Sequence, residues 1–415
     1  MMAGYLADAL LWTAAPLLAV RLTQDPFAVS AISAASYLPW LLCGVAAGVA
    51  ADRFDRRRLL GATNLVRAAV LLGAAALVAA DRMSVWGLVV LIFVVGVLET
   101  LVEEGNQALV PRVVDAAGRD AANSRVAAGT QVAQGLVAPS AATVLLVLAT
   151  GAPFLVSAAA FAVAAVVALL LPRTPGPTEA SSPRTAQVGF FRQLDDGARF
   201  LWRDRPLRTL LLVTTGSATC LTLAQAALVV FLVRTLRVPD AMVGLFLAVG
   251  ALGSVAASLL LARVVRRVGR PWVMAGSAIL CGPLLVVTGL APASGAGVVV
   301  AAVAFAGMTL GVTVWNSLSA SARQHRVPEA LLGRVSGTWR TLCWVLVPLV
   351  TLAGGVLSRV DLRLPLILGG GLATVLAVLT ARPVARAVGA TADASAEVPV
   401  DDGTPGEPEL VGVAP

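Results

Sequence analysis

The sequence contains no lysine; all 31 of its strongly basic residues are arginine. A Walker-type loop needs its lysine to hold phosphate. An ATPase of that kind is therefore excluded on this chain, and any pumping must draw on an ion gradient or on a separate subunit. Histidine is almost as scarce. His325 stands alone in a polar stretch, so a multi-histidine metal site cannot be assembled, and no cofactor is implied. The four cysteines, Cys43, Cys220, Cys281 and Cys343, sit singly inside apolar runs with no CxxC spacing. That marks them as buried thiols rather than disulfides or metal ligands. Charge of either sign is thin, at 13% of residues, against about 25% in a soluble domain. The first arginine is Arg21, so the first apolar run lacks the basic flank of a secretory signal.

Apolar side chains fill the space that charge leaves. With 58% hydrophobic residues and a mean hydropathy of +0.87 over 415 residues, the chain reads as a polytopic protein of the lipid bilayer. Apolar runs fall near 3–20, 28–51, 59–80, 85–110, 124–148 and 153–171, then near 207–233, 240–262, 271–291, 297–320, 335–357 and 363–381. Each approaches the ~20 residues that a membrane-spanning helix needs. Between the two sets lies a Pro-, Ser- and Arg-bearing stretch whose middle, FFRQLDDGARFLWRD, has the pattern of an amphipathic interfacial helix. The expected fold is an all-α membrane protein with 12 transmembrane helices in two six-helix bundles, 1–171 and 207–381. A cytoplasmic linker, 172–206, joins them, and a cytoplasmic tail, 382–415, follows; beyond residue 389 the tail is acidic, rich in Pro, Gly and Ala, and reads as disordered. With both termini inside, about 23 arginines fall on cytoplasmic segments and about six outside: Arg21, Arg82, Arg234, Arg237, Arg359 and Arg363. The net charge of +8 follows from this positive-inside bias, and no nucleic-acid partner is implied.

Charge is most concentrated at residues 44–58, GVAAGVAADRFDRRR. Gly44, Ala47, Gly48 and Ala51 recur at three- and four-residue spacing, which lets a neighbouring helix approach closely. Asp52 closes the helix, and Arg53, Arg56, Arg57 and Arg58 follow. A stop-transfer signal accounts for the arginines but not for Asp52 ahead of them. The second half repeats the pattern at 254–270, SVAASLLLARVVRRVGR, with Ala262 and Arg263 standing where Asp52 and Arg53 stand. Arg125 precedes Pro139 by the same fourteen residues as Arg334 precedes Pro348. Two matching points per half indicate a duplicated unit, hence pseudo-symmetric bundles.

The glycine-rich helix end followed by Asp-Arg and Arg-Arg resembles the loop between helices two and three of major facilitator superfamily transporters. Residues 109–123, LVPRVVDAAGRDAAN, and 316–334, NSLSASARQHRVPEALLGR, are similar to loops of that superfamily's drug-exporter branch, which includes enterobactin exporters and macrolide efflux proteins. The second stretch matches at Asn316, Arg323, Gln324, Pro328, Gly333 and Arg334, and Gly197, Phe200 and Leu201 match ahead of the seventh helix. The likeness extends from Gln24 to Ser358. It implies a monomeric transporter, not an enzyme, that exports a drug, macrolide, siderophore or similar amphipathic compound in exchange for protons. Alternating access would operate across the cell membrane, with the substrate site between the halves near the midplane. It also implies a cytoplasmic gate of Gly44, Gly48, Asp52, Arg53, Arg56 and Arg57, in which Asp52 latches against the next helix and Ala262 leaves the second half without a counterpart. Two features depart from the family. Ala138-Pro139 with Ala141-Ala142 replaces the Gly-Pro and Gly-Gly pattern of antiporters. Few residues precede Asp8, so either the true start lies upstream or the first helix is short. An importer or facilitator of the same fold, an embedded enzyme and a non-transporting membrane protein stay open as alternatives.

Charged groups inside apolar runs mark the candidate site, because a charge in hydrocarbon needs a pathway role or a partner. Asp8, Glu99 and Glu103 are the candidate proton carriers, and Arg67 and Arg340 the candidate charge partners; a structural ion pair, for instance Glu99 with Arg67, is the competing reading. Glu99, Glu103, Asn106 and Gln107 fall on one face of the fourth span. Asn106, Gln107, Gln131, Gln134, Gln225, Trp315 and Asn316, together with Trp344, are candidates to line a cavity for the substrate.

Overall fold

The computed structural model describes residues 2–53, 55–107, 132–170 and 190–396. Every described element is helical, as hydrocarbon demands, because a helix satisfies its backbone N–H and C=O groups internally. The first half comprises α1 (Met2–Leu22), α2 (Pro26–Arg53), α3 (Arg56–Ala79), α4 (Val85–Gln107), α5 (Ala138–Leu148) and α6 (Ala152–Leu170). A short helix α7 (Phe190–Arg203) leads into α8 (Arg205–Gln225), then α9 (Asp240–Val268), α10 (Arg270–Leu290) and α11 (Gly295–Arg326). The chain ends in α12 (Glu329–Trp344), α13 (Val347–Ser358) and α14 (Leu364–Ala396). Among the described residues, eleven helical stretches are long and apolar enough to cross a membrane; α12 and α13 together make one of them, and α8 continues as another to Thr235. The fifth of the twelve expected spans is described only over Ala133–Leu148.

Proline accompanies two of the irregular points in the spans. Its ring clashes with the carbonyl four residues back, and it donates no N–H. A π-helical turn, Ala133–Val137, precedes Pro139, and α12 gives way to α13 just before Pro348. The two prolines matched between the halves thus interrupt equivalent spans. Asp55 caps α3 by accepting from the Arg58 amide at 2.9 Å, Asp204 caps α8 from the Leu207 amide at 2.9 Å, and Ser294 caps α11 from the Gly297 amide at 3.1 Å. Asp52 is therefore not the closing residue of α2, which runs to Arg53.

Glycine lets the helices pack closely. A Cβ on Gly282 of α10 would stand 2.5 Å from the Gly370 carbonyl oxygen of α14, and one on Gly369 would stand 2.5 Å from that of Cys220 in α8. The Thr309 hydroxyl of α11 donates to the Gly250 carbonyl of α9 at 2.5 Å. Among the described residues four apolar cores result, the smallest formed by Leu60, Val102 and Ala168 of α3, α4 and α6. Of the other three, one binds α1, α2, α3, α4 and α6, another lies within the second half, and the third joins α1 and α5 to α8, α9, α10 and α11. Leu148, Leu170, Leu259 and Leu379 stay more than 70% exposed. Water would not tolerate such a surface, whereas lipid solvates it. The amphipathic stretch is helical as α7, and its Gly197 lies against Thr338 and the Arg334 carbonyl of α12. α14 continues through residues 382–396, part of which was expected as disordered tail; residues 397–415 lie outside the described chain.

Candidate functional site

A polar cluster is buried inside the first half, where α1, α3, α4 and α6 meet. Arg67 is fully buried, its Nη2 bonds the Asp8 carboxylate, and its guanidinium carbon lies 3.9 Å from the centre of the Phe161 ring. α6 is tied to α1 beside it, because the Ser157 hydroxyl donates to the Ala7 carbonyl at 3.1 Å. Glu99 is 9% exposed, and the charges of Asp8, Arg67 and Glu103 all act on it. One turn further along α4, Glu103 accepts a 2.8 Å hydrogen bond from the Tyr5 hydroxyl. Tyr5 and Asp8 share a face of α1 at i, i+3, as Glu99 and Glu103 share one of α4 at i, i+4.

The hydrogen bonding of the cluster is incomplete. Arg67 Nε and Nη1, Glu99 Oε2 and Asn64 Oδ1 have no partner among the described residues. Each such buried group costs roughly 1–3 kcal/mol. The Arg67 guanidinium bonds the buried Asp8 carboxyl group, and its charge also acts on the buried Glu99.

A second set of polar contacts joins the two halves at the end of the molecule where α1 turns into α2. Arg359 grips Asp25 with two bonds of 2.8 and 2.5 Å, and Arg21 bonds Asp240 in the first turn of α9 at 2.8 Å. Arg234 donates to the carbonyls of Val20, Thr23 and Gln24 at 3.3, 2.5 and 2.7 Å. A cation is favoured there, because the last carbonyls of a helix lack internal partners. Close packing backs these bonds: Gly355 of α13 fits against Ser30 and Phe27 of α2, and Gly244 of α9 against Pro139 and Thr143 of α5. Arg359 holds the Asp25 carboxyl below the usual carboxylate range, chiefly through their hydrogen bonds.

The sequence profile of the Major Facilitator Superfamily matches residues 1–351. The chain belongs to the major facilitator superfamily. It is thus a multi-pass membrane protein of a family of secondary transporters of small molecules, not of enzymes. No curated protein matches its sequence. Among solved structures it is similar to a peptide transporter of the POT family bound to alafosfalin (TM-score 0.69, 15% identity, 93% of this chain and 94% of that one). It is also similar to a mutant form of the nucleoside transporter NupG (TM-score 0.68, 14% identity, 92% and 98%). A bacterial homologue of the iron transporter ferroportin in its inward-facing state is similar as well (TM-score 0.59, 18% identity, 92% and 98%). At such identities the likeness shows the fold alone.

Within this superfamily fold the expected site residues separate. Asp8, Arg67, Glu99 and Glu103 come together, although the partner bonded to Arg67 is Asp8 and not Glu99. Arg340 stands apart, exposed, with its guanidinium carbon 5.9 Å from the centre of the Trp40 ring. Trp315 is buried in the second half, where its indole N–H donates to the Thr214 hydroxyl at 3.0 Å; the neighbouring Asn316 is exposed. Gln225 is exposed at the end of α8, and Gln134 is half-buried in the π-turn before α5. Gln131 lies outside the described residues. The gate residues Gly44, Gly48, Asp52 and Arg53 lie in α2, Arg56 and Arg57 open α3, and Asn106 and Gln107 end α4. The side chains of Asp52, Arg53, Arg56, Asn106 and Gln107 lie outside what is described. Missed from the sequence were Tyr5, Trp40 and the joined end, with Asp25, Arg21, Arg234, Asp240 and Arg359. An available signal was that three of the few arginines assigned outside flank helix ends, beside Asp25 and Asp240.

Proposed function

We propose that this protein exports a small amphipathic compound (a drug, macrolide, siderophore or similar natural product) in exchange for protons by alternating access across the cell membrane. Both termini are cytoplasmic in this reading, and the end joined by Asp25–Arg359 faces outward. The observation that carries it is the buried set of Asp8, Glu99 and Arg67, two acids sharing one cation with donors and an acceptor unspent. A proton delivered to Asp8 frees Arg67 to turn to Glu99, and its loss lets Arg67 return. Such an exchange alters the contacts among α1, α3, α4 and α6, which makes it a switch that couples protons to conformation. The joined outward end then represents the inward-facing member of the cycle. The likeness of residues 109–123 and 316–334 to loops of drug exporters supports the direction. Asp52 and the arginines after it serve as the opposing cytoplasmic gate.

Inverted membrane vesicles carrying a pH gradient test this, with siderophores, macrolides and cationic dyes added singly. Proton release on adding a compound is expected from the native chain and is expected to vanish in Asp8→Asn and Glu99→Gln. If no compound releases protons and expression instead raises uptake into intact cells, the protein is an importer and the exchange at Asp8 and Glu99 is not its coupling step.

A further inference from the structure

The seam between α2 and the α12–α13 pair runs antiparallel, with its contacts in register: Asp25 with Arg359, Ser30 with Gly355, Tyr37 with Trp344, and Trp40 with Arg340. The first two pairs close the joined end. The other two lie about 10 and 15 Å beyond Ser30 along α2, at 1.5 Å per residue, and they differ in kind. The Tyr37 and Trp344 rings stand 5.4 Å apart at a 47° tilt, and Trp344 remains 51% exposed. Arg340 is exposed too, and it has neither an acidic partner nor a hydrogen bond among the described residues. A guanidinium inside a span is costly unless it meets water or a partner. The stack on Trp40, at 5.9 Å, lies at the outer reach of a cation–π contact and leaves the N–H donors of Arg340 unspent.

We propose that Arg340, with Trp40, Tyr37 and Trp344, receives the acidic end of an aromatic, anionic substrate. The planar fork of arginine matches a carboxylate or sulfonate with two parallel bonds, and the exposed Trp344 ring, backed by the half-buried Tyr37 and Trp40, offers a flat face to the body of the compound. Two of the four residues come from α2 and two from α12, so an occupant touches both halves and is sensed by both. This narrows the substrate class of the export reading above and rests on it for transport, while binding at the seam stands independently of direction or coupling.

The test is equilibrium binding to the full chain in phosphatidylcholine nanodiscs, using three probes with one ring system: naphthalene-2-sulfonate, naphthalene-2-methanol and naphthalen-2-ylmethylammonium. The sulfonate is expected to bind about tenfold or more tightly than the neutral probe, the scale of a charge-assisted hydrogen bond. Arg340→Gln should erase that preference by weakening the sulfonate far more than the neutral probe, Arg340→Lys should keep part of it, and Trp344→Ala should weaken both probes. Equal binding of all three probes to the native chain would overturn the proposal, as would a preference that survives in Arg340→Gln. Loss of the preference on adding phosphatidylglycerol would assign the arginine to a lipid headgroup and overturn it too. Arginine-dependent binding without pH-driven transport would leave the subsite standing and remove only the antiport reading.

Discussion

Replacing Gly355 with alanine tests whether the joined end is one state of a moving transporter. A Cβ at this position would stand 2.7 Å from Ser30 Cβ, 2.8 Å from Ser30 Oγ and 3.1 Å from Phe27 Cα. Ser30 has little room to yield, because its hydroxyl also donates to the Ala226 carbonyl at 3.1 Å. The intruding methyl must push α2 and α13 apart. Overpacking of this kind costs roughly 1–3 kcal/mol, and the cost falls only on the state in which the two helices touch. Alternation would therefore shift toward the opposite state by a factor of about 5 to 150. Spin labels at Arg82→Cys and Val360→Cys, on exposed turns of the two halves at this end, report the change once Cys43, Cys220, Cys281 and Cys343 are replaced by serine. A longer distance population should grow in Gly355→Ala. An unchanged distance distribution in a folded Gly355→Ala protein would refute the reasoning, because it would mean that the seam does not open.

Removing one member of the Asp8–Arg67 pair strands a buried charge, at a cost of roughly 3–5 kcal/mol. Arg67→Met alone should lower the thermal midpoint sharply, and Arg67→Gln combined with Asp8→Asn should recover more than half of the loss; a double variant no more stable than Arg67→Met would argue against the pair. The Asp25–Arg359 latch is predicted to ignore physiological pH. Arg359 depresses the Asp25 carboxyl, so its contribution is complete above the ordinary value of about 4 and is lost only as pH falls through the lowered one. With Asp8 and Glu99 replaced by their amides, the Arg82–Val360 label distance should hold from pH 8 to about pH 5; a change centred between pH 5 and 7 would place a proton sensor at this end.

The sequence alone determined the membrane class, the order and approximate limits of eleven of the twelve expected spans, the helical character of α7, and the proline matches that break equivalent spans. These are properties of neighbouring residues: hydropathy, the 3.6-residue period and proline sterics act within a few turns. Acids and cations in hydrocarbon also announced themselves, since lipid makes each of them costly wherever it lies. What the sequence could not determine was which of them meet. Arg67 reaches Asp8 across 59 positions and Arg359 reaches Asp25 across 334, and such pairs exist only after helices have packed. The same packing buries Trp315 and leaves Asn316 exposed, although both read alike in the chain. Tertiary structure decided these points because a side chain's partner depends on which helix lies opposite and at what depth, and no local pattern records either.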